Sequence, residues 1–255
     1  MTGRRGDGAR PRVFCLAHAG ASAESAYRGW EQELADCAGL VALELAGRGR
    51  RSTERPFATV HEAACDCAQR IEASVGKGGF LLFGHSMGGL LAYEIDAQLH
   101  RRGGRRPAAV AIAGTPPPNG HRDGAELHAL PDGALLRAVE HLGGVPPELL
   151  EHRSSRALVA TLLREDYGMY ERYALADPPH RIASPLVLVL GAADPLTRPD
   201  DAALWGALAD GPVTTRTVPA GGHFFPTTHR RETIALVRGL ATAIGGGAEA
   251  SRDGA

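Results

Sequence analysis

The sequence has almost no excess of charge of either sign. Twenty-eight Lys and Arg stand against 29 Asp and Glu in 255 residues, for a formal net charge of −1. A chain so balanced projects no long-range field, which argues against nucleic acid or an anionic membrane surface as a partner. Long apolar runs are missing too. The longest of note, PLVLVLGAA at 185–193, is far shorter than a bilayer span, and the N-terminus has no apolar segment before its basic residues end. Neither a membrane anchor nor a signal peptide is expected, and the predicted location is the cytoplasm. Cysteine is scarce, with four residues at 15, 37, 65 and 67 in apolar contexts. These are too few and too scattered for a disulfide framework in a chain that can build its own core. Cys65 and Cys67 lie two apart in a predicted helix, where their side chains diverge, so they read as packing residues and not as a metal pair. No cofactor and no metal is expected.

What is present fits an ordinary globular core, with 44% hydrophobic and 22% charged residues. Short runs rich in β-branched residues alternate with helical patterns, which predicts a mostly parallel central sheet with helices on both faces. The predicted strands are 12–17, 40–45, 79–83, 108–113, 185–191 and 213–218. Helical patterns occupy 22–37, 58–75, 87–102, 199–209 and 227–243. A single α/β domain over 12–244 is expected. The tails 1–11 and 245–255 lack apolar content and are expected to be disordered. The alternation breaks once, where roughly seventy residues pass without a strand pattern, too many for an ordinary connection. They predict a helical lid insertion at 115–180, opening on TPPPNG and carrying helices at 132–142, 146–152 and 155–173. Leu135, Leu136, Val139, Leu158, Leu162 and Leu163 form its apolar stripes.

The segment FLLFGHSMGGLLAYEI contains Gly84-His85-Ser86-Met87-Gly88, a Gly-x-Ser-x-Gly pattern. The pattern alone is weak in a chain with 33 glycines. Its surroundings strengthen it. A nucleophile elbow needs a buried strand before it, a helix after it, and glycines where a sharp turn leaves no room for side chains. Phe80–Phe83 supply the strand. Met87, Leu90, Leu91, Ile95 and Leu99 continue at helical spacing. Ser86 is therefore the candidate nucleophile of an α/β-hydrolase fold.

A serine hydroxyl needs a base, usually a histidine oriented by a carboxylate. In this fold the chain order is Ser, then Asp or Glu, then His. Asp194 follows the strongest strand, in LVLVLGAADP. His223 follows the last, in VPAGGHFF, where Gly221 and Gly222 would give the backbone freedom to aim the imidazole. His85 reads as a neighbour of the nucleophile and not as the base. The oxyanion of the tetrahedral intermediate needs two convergent donors. The backbone N–H of Met87 is one. The other comes from the loop after the first strand, His18-Ala19-Gly20-Ala21, with Ala19 the candidate and Gly20 the alternative register.

These motifs together resemble the stand-alone type II thioesterases that accompany polyketide synthases and non-ribosomal peptide synthetases. The similarity runs from about Val13 to Leu240 through CLAHAG at 15–20, ELAGRGRR at 44–51, LFGHSMGGLLAYE at 82–94, LGGVPPELL at 142–150, LVLGAADPLT at 188–197 and GGHFF at 221–225. The resemblance implies a serine thioesterase that releases acyl or aminoacyl groups from the phosphopantetheine arm of acyl or peptidyl carrier protein domains, clearing stalled or misprimed chains. It also implies that the insertion is a mobile lid. Arg153, Arg156 and Arg164 are candidate carrier contacts. Ala17 and Ala46 depart from the family, which usually has proline at both places, and looser loops are expected there. The residues themselves leave open a general carboxylester hydrolase, or an acyltransferase or cyclase using the same triad.

Overall fold

Successive residues of the buried strands face opposite sides of one sheet and sort the core into two layers. The computed structural model describes residues 10–120, 126–145, 148 and 151–250. Its six strands are β1 (Arg12–Leu16), β2 (Gly39–Ala42), β3 (Phe80–His85), β4 (Ala109–Ala113), β5 (Leu186–Gly191) and β6 (Val213–Val218). They form one sheet in the order β2-β1-β3-β4-β5-β6, with every neighbouring pair parallel. Phe14, Leu16, Phe80 and Leu82 face one core. Val13, Cys15, Leu81 and Phe83 face the other, the two-residue period of a sheet buried on both sides. β6 closes one edge with exposed Val213–Thr217, a polar margin that discourages further strand pairing.

The helices are α1 (Ala23–Ala26), α2 (Trp30–Leu34), α3 (Val60–Ser74), α4 (Met87–Arg101), α5 (Asp132–His141), α6 (Arg153–Glu171), α7 (Asp201–Gly206), α8 (Phe225–Thr228) and α9 (Arg230–Ala250). α3, α4 and Trp205 cover the first core; Trp30, Leu34, Val237 and Ala241 cover the second. The helix expected over 22–37 is two short ones, because Gly29 adopts φ 79° between them. β2 stops before the expected Leu45. Glu44 turns inward instead and accepts hydrogen bonds from Ser22 Oγ at 2.6 Å and the Ala23 N–H at 3.0 Å. The loops after β1 and β2, expected to be loose at Ala17 and Ala46, are cross-braced by this carboxylate.

α9 runs to Ala250, past the predicted boundary at 244, because its last turns have a surface to lean on: Ile244 packs against Gly79 and Gly245 against Pro11. Pro11 accepts a backbone hydrogen bond from Gly39 at 3.0 Å, so order begins before Arg12. Residues 1–9 and 251–255 lie outside the described residues. So does most of the expected helix at 146–152.

Between β4 and β5 the insertion forms its own small core from Leu135, Leu136, Val139, Val145, Ala160 and Leu163. Leu158, expected on its inner face, is 61% exposed. Arg164 is engaged within the insertion, donating to His128 O at 2.6 Å, Leu130 O at 2.8 Å and Asp132 Oδ1 at 2.5 Å. Arg153 and Arg156 are exposed. No helix among the described residues is long and apolar enough to cross a membrane.

Candidate active site

Because all strands run one way, the loops after β1, β3, β4, β5 and β6 share one edge of the sheet, where open α/β folds place their ligands. β3 brings Ser86 to that edge at φ 56° and ψ −120°, a strained conformation for a residue with a Cβ. The turn is held from several sides. The Ser86 N–H donates to Ala113 O and Thr115 Oγ1 donates to Ser86 O, both at 2.9 Å. A Cβ on Gly84 would collide with the Gly88 carbonyl, one on Gly88 with Leu16 O, and one on Gly89 with Thr115 Oγ1. The elbow glycines are thus required by close backbone approach.

His223 Nε2 stands 3.0 Å from Ser86 Oγ, and its Nδ1 stands 3.1 Å from both oxygens of Asp194. The histidine and the carboxylate are buried. A carboxylate accepting at Nδ1 keeps the proton there and turns the Nε2 lone pair toward the serine hydroxyl. Asp194 Oδ1 also accepts the Leu196 N–H at 2.9 Å, which fixes the carboxylate in its turn. Three residues that are distant in sequence are brought together in one hydrogen-bonded line.

Two supporting roles were not foreseen in the sequence, that of Gly114 and that of His85. Gly114, at φ 56°, lies so near the line that a Cβ there would stand 3.1 Å from Asp194 Oδ2 and 3.6 Å from His223 Nδ1. The signal was a lone glycine at the end of β4, in AIAGTPPP. His85 Nε2 lies 2.8 Å from the His223 carbonyl oxygen. A carbonyl only accepts, so Nε2 carries the proton and donates. Burial drives the His85 pKa well below the ordinary imidazole value, and the neighbouring His223 and His18 push the same way. His85 is therefore neutral at physiological pH. Its ring packs with those of His18, His223 and Phe224, at centroid distances of 5.4, 5.3 and 5.6 Å.

The glycines before His223 serve differently from expectation. The left-handed residue of that loop is Ala220, at φ 56°. Gly221 is needed for packing, since a Cβ there would lie 2.9 Å from Phe225 Cβ, while Gly222 faces open space.

Met87 is the first residue of α4, where an N–H has no intrahelical acceptor. Ala19 is buried in the loop after β1. Gly20, the alternative register, donates its N–H to Asp166 Oδ2 of α6 at 2.6 Å.

Comparison with known proteins agrees with this architecture. A family model described as a thioesterase domain matches residues 11–240. Thioesterase PikA5 of Streptomyces venezuelae is 31% identical over 214 residues, which span 84% of this chain and 75% of that protein. A probable cadicidin biosynthesis thioesterase of Streptomyces griseus is 31% identical over 218 residues, spanning 86% of this chain and 59% of that one. Among solved structures, ClbQ from the colibactin NRPS/PKS pathway superposes with a TM-score of 0.86 at 29% identity, covering 92% of this chain and 98% of its own. The RedJ thioesterase from the prodiginine biosynthetic pathway of Streptomyces coelicolor does so at 0.80 and 32% identity, covering 92% and 95%. With its α/β-hydrolase fold and a family match across nearly its whole length, this chain belongs to the thioesterase domain family and is a thioester hydrolase similar to the type II thioesterases of such biosynthetic pathways.

Proposed function

We propose that Ser86, His223 and Asp194 are nucleophile, base and orienting acid, and that the substrate is an acyl or aminoacyl thioester on the phosphopantetheine arm of an acyl or peptidyl carrier protein. The observation that carries this reading is the hydrogen-bonded line from Ser86 Oγ through both ring nitrogens of His223 to Asp194, at 3.0 and 3.1 Å. His223 Nε2 takes the hydroxyl proton as Oγ bonds to the thioester carbonyl carbon, and the carbonyl electrons move to oxygen. The Met87 and Ala19 N–H groups receive that oxyanion; the commitment of the Gly20 N–H to Asp166 supports Ala19 over Gly20. The C–S bond then breaks, and the proton on His223 passes to the departing sulfur. A water molecule repeats the sequence on the acyl-serine, with His223 again as base, and the products are a free acid and restored Ser86. Every step uses side-chain and backbone groups of this chain, and phosphopantetheine arrives with the substrate.

The insertion acts as a lid. Two small cavities beside the site, one lined by His18, Glu44, Arg48 and Met87 and the other by Phe57, Arg48, Asp166 and Met169, each hold about one water. The origin of ClbQ and RedJ in biosynthetic pathways supports a carrier-bound substrate, and the role we propose there is editing, the clearing of stalled or misprimed chains in the cytoplasm. The test is a side-by-side assay on an acylated carrier protein, the same acyl group on a free thiol, and its simple oxygen ester. The reading predicts that kcat/KM falls in that order; equal rates on the oxygen ester would favour a general carboxylester hydrolase.

A further inference from the structure

The Gly47-Arg48-Gly49 loop is a marked motif that the triad does not use. It sends Arg48 beneath the insertion. There the guanidinium meets Asp166 of α6 in a two-pronged ion pair, Nη1 to Oδ2 and Nη2 to Oδ1, each at 2.6 Å. The two side chains are 4% and 2% exposed. Asp166 Oδ2 accepts a further hydrogen bond, from the Gly20 N–H at 2.6 Å. One carboxylate thus joins the loop after β1, the loop after β2 and the long helix of the insertion. Leu163, a turn earlier on α6, packs so tightly on Gly20 that a Cβ there would overlap it.

Stability alone is a weak explanation for this arrangement. Desolvating two charges costs several kcal/mol per ion, and apolar side chains of similar volume often hold such a place as well or better. Arg48 Nε is buried without a partner, a further cost. Burial by itself would lower the Arg48 pKa, but the hydrogen bonds and charge of Asp166 outweigh it and raise it. What an apolar pair cannot supply is an acceptor for the Gly20 N–H. Gly20 sits at φ 79°, a left-handed position that suits glycine. Binding the Gly20 N–H fixes the peptide plane between Ala19 and Gly20, which meets the plane carrying the Ala19 N–H at the buried Ala19.

We propose that Asp166, held by Arg48, is a positioning residue for the oxyanion hole: it binds the Gly20 N–H and thereby aims the Ala19 N–H at the carbonyl above Ser86. This rests on the triad and oxyanion reading given above. Arg48 holds the carboxylate in register but touches neither substrate nor oxyanion.

The experiment sets stability against turnover in two variants, with an acetyl thioester as substrate so that long-chain binding plays no part. Asp166→Asn keeps an oxygen facing Gly20 while breaking the ion pair. It should lower Tm and keep kcat within about three-fold. The double variant Arg48→Met with Asp166→Leu removes the buried charges and the acceptor together. It should match or exceed the wild-type Tm, yet lose about ten-fold or more in kcat with KM nearly unchanged, the signature of a misaimed oxyanion donor. Activity and stability then rank the two variants in opposite order, which a purely structural role does not produce. The proposal is overturned if kcat follows Tm across them, or if the double variant keeps kcat within about two-fold of wild type. Arg48→Lys covers a double variant that does not fold: it retains the acceptor, so it should lose Tm and keep kcat, and a fall of about ten-fold in kcat overturns the proposal. A serine-directed phosphonate applied to each protein separates this from the triad reading. Failure to label Ser86 in wild type sinks the triad first, whereas stoichiometric labelling with an unchanged kcat sinks only the role of Asp166.

Discussion

His85 donates its Nε2 proton to the backbone carbonyl of His223 at 2.8 Å, so the residue before Ser86 holds the loop that carries His223. The elbow and the base loop are therefore one unit, tied across 138 positions of chain.

This bond has a consequence for pH. His85 is buried and neutral, with its pKa well below the ordinary range. The unfolded chain takes up a proton at this position near pH 6.5, while the folded chain does not. Stability is thus fully present above about pH 6.5 and falls as the pH drops below it, by up to about 1.4 kcal/mol per pH unit from this group. His85→Gln retains a side-chain N–H for the His223 carbonyl and cannot titrate. Its Tm should vary less with pH below 6.5 than that of wild type, and superposable Tm curves would contradict the buried neutral state.

Asp194→Asn should leave folding nearly intact and lower kcat by up to about 10⁴-fold, far more than it changes KM, because an amide favours the wrong tautomer of His223. Stopped-flow or steady-state assay on an acyl thioester measures this. Retention of most of the activity would assign the acid to another carboxylate.

Gly114→Ala places a methyl group in a left-handed position 3.1 Å from Asp194 Oδ2. The backbone term alone costs about 1–2 kcal/mol, and the displaced carboxylate should lower kcat about ten-fold with little change in KM. Gly239→Ala, in α9 with nothing within 4 Å, is the control and should be neutral or slightly stabilising. Equal behaviour of the two variants in assay and thermal melt would remove Gly114 from the account.

The meeting of Ser86, Asp194 and His223 was legible in the sequence because each carries a local mark: a glycine-flanked serine after an apolar strand, and an Asp and a His just past strand ends. Parallel topology does the rest, since it brings all such ends to one edge. The ion pair of Arg48 and Asp166 was not legible. Its partners are 118 positions apart, and within α6 an aspartate between Glu165 and Tyr167 reads as an ordinary solvated helix position. Gly114 and Glu44 were missed for the same reason, since what each meets comes from elsewhere in the chain. Leu158 erred oppositely. Helical period gave it an inner face, but the tertiary packing of α6 left it outside.

The lid reading predicts that amide exchange across α5 and α6 is faster than in β3 and β4, and slows when an acyl phosphonate occupies Ser86. α5 and the first half of α6 share a small separate core, while Met169, Tyr167 and Tyr170 anchor the end of α6 in the main core. Exchange as slow there as in the strands, with and without the phosphonate, would rule out a moving lid.

Hydrolysis at Ser86 of a carrier-bound thioester is the central claim, and one measurement addresses it most directly. The wild-type protein and Ser86→Ala are incubated with an acetyl-loaded carrier protein in ¹⁸O-labelled water, and the acid and the carrier are both weighed by mass spectrometry. The account predicts labelled acetate and a free thiol on the carrier with wild type, and an intact acetyl carrier with Ser86→Ala. An unlabelled ester, amide or cyclic product, or undiminished release by Ser86→Ala, would contradict it.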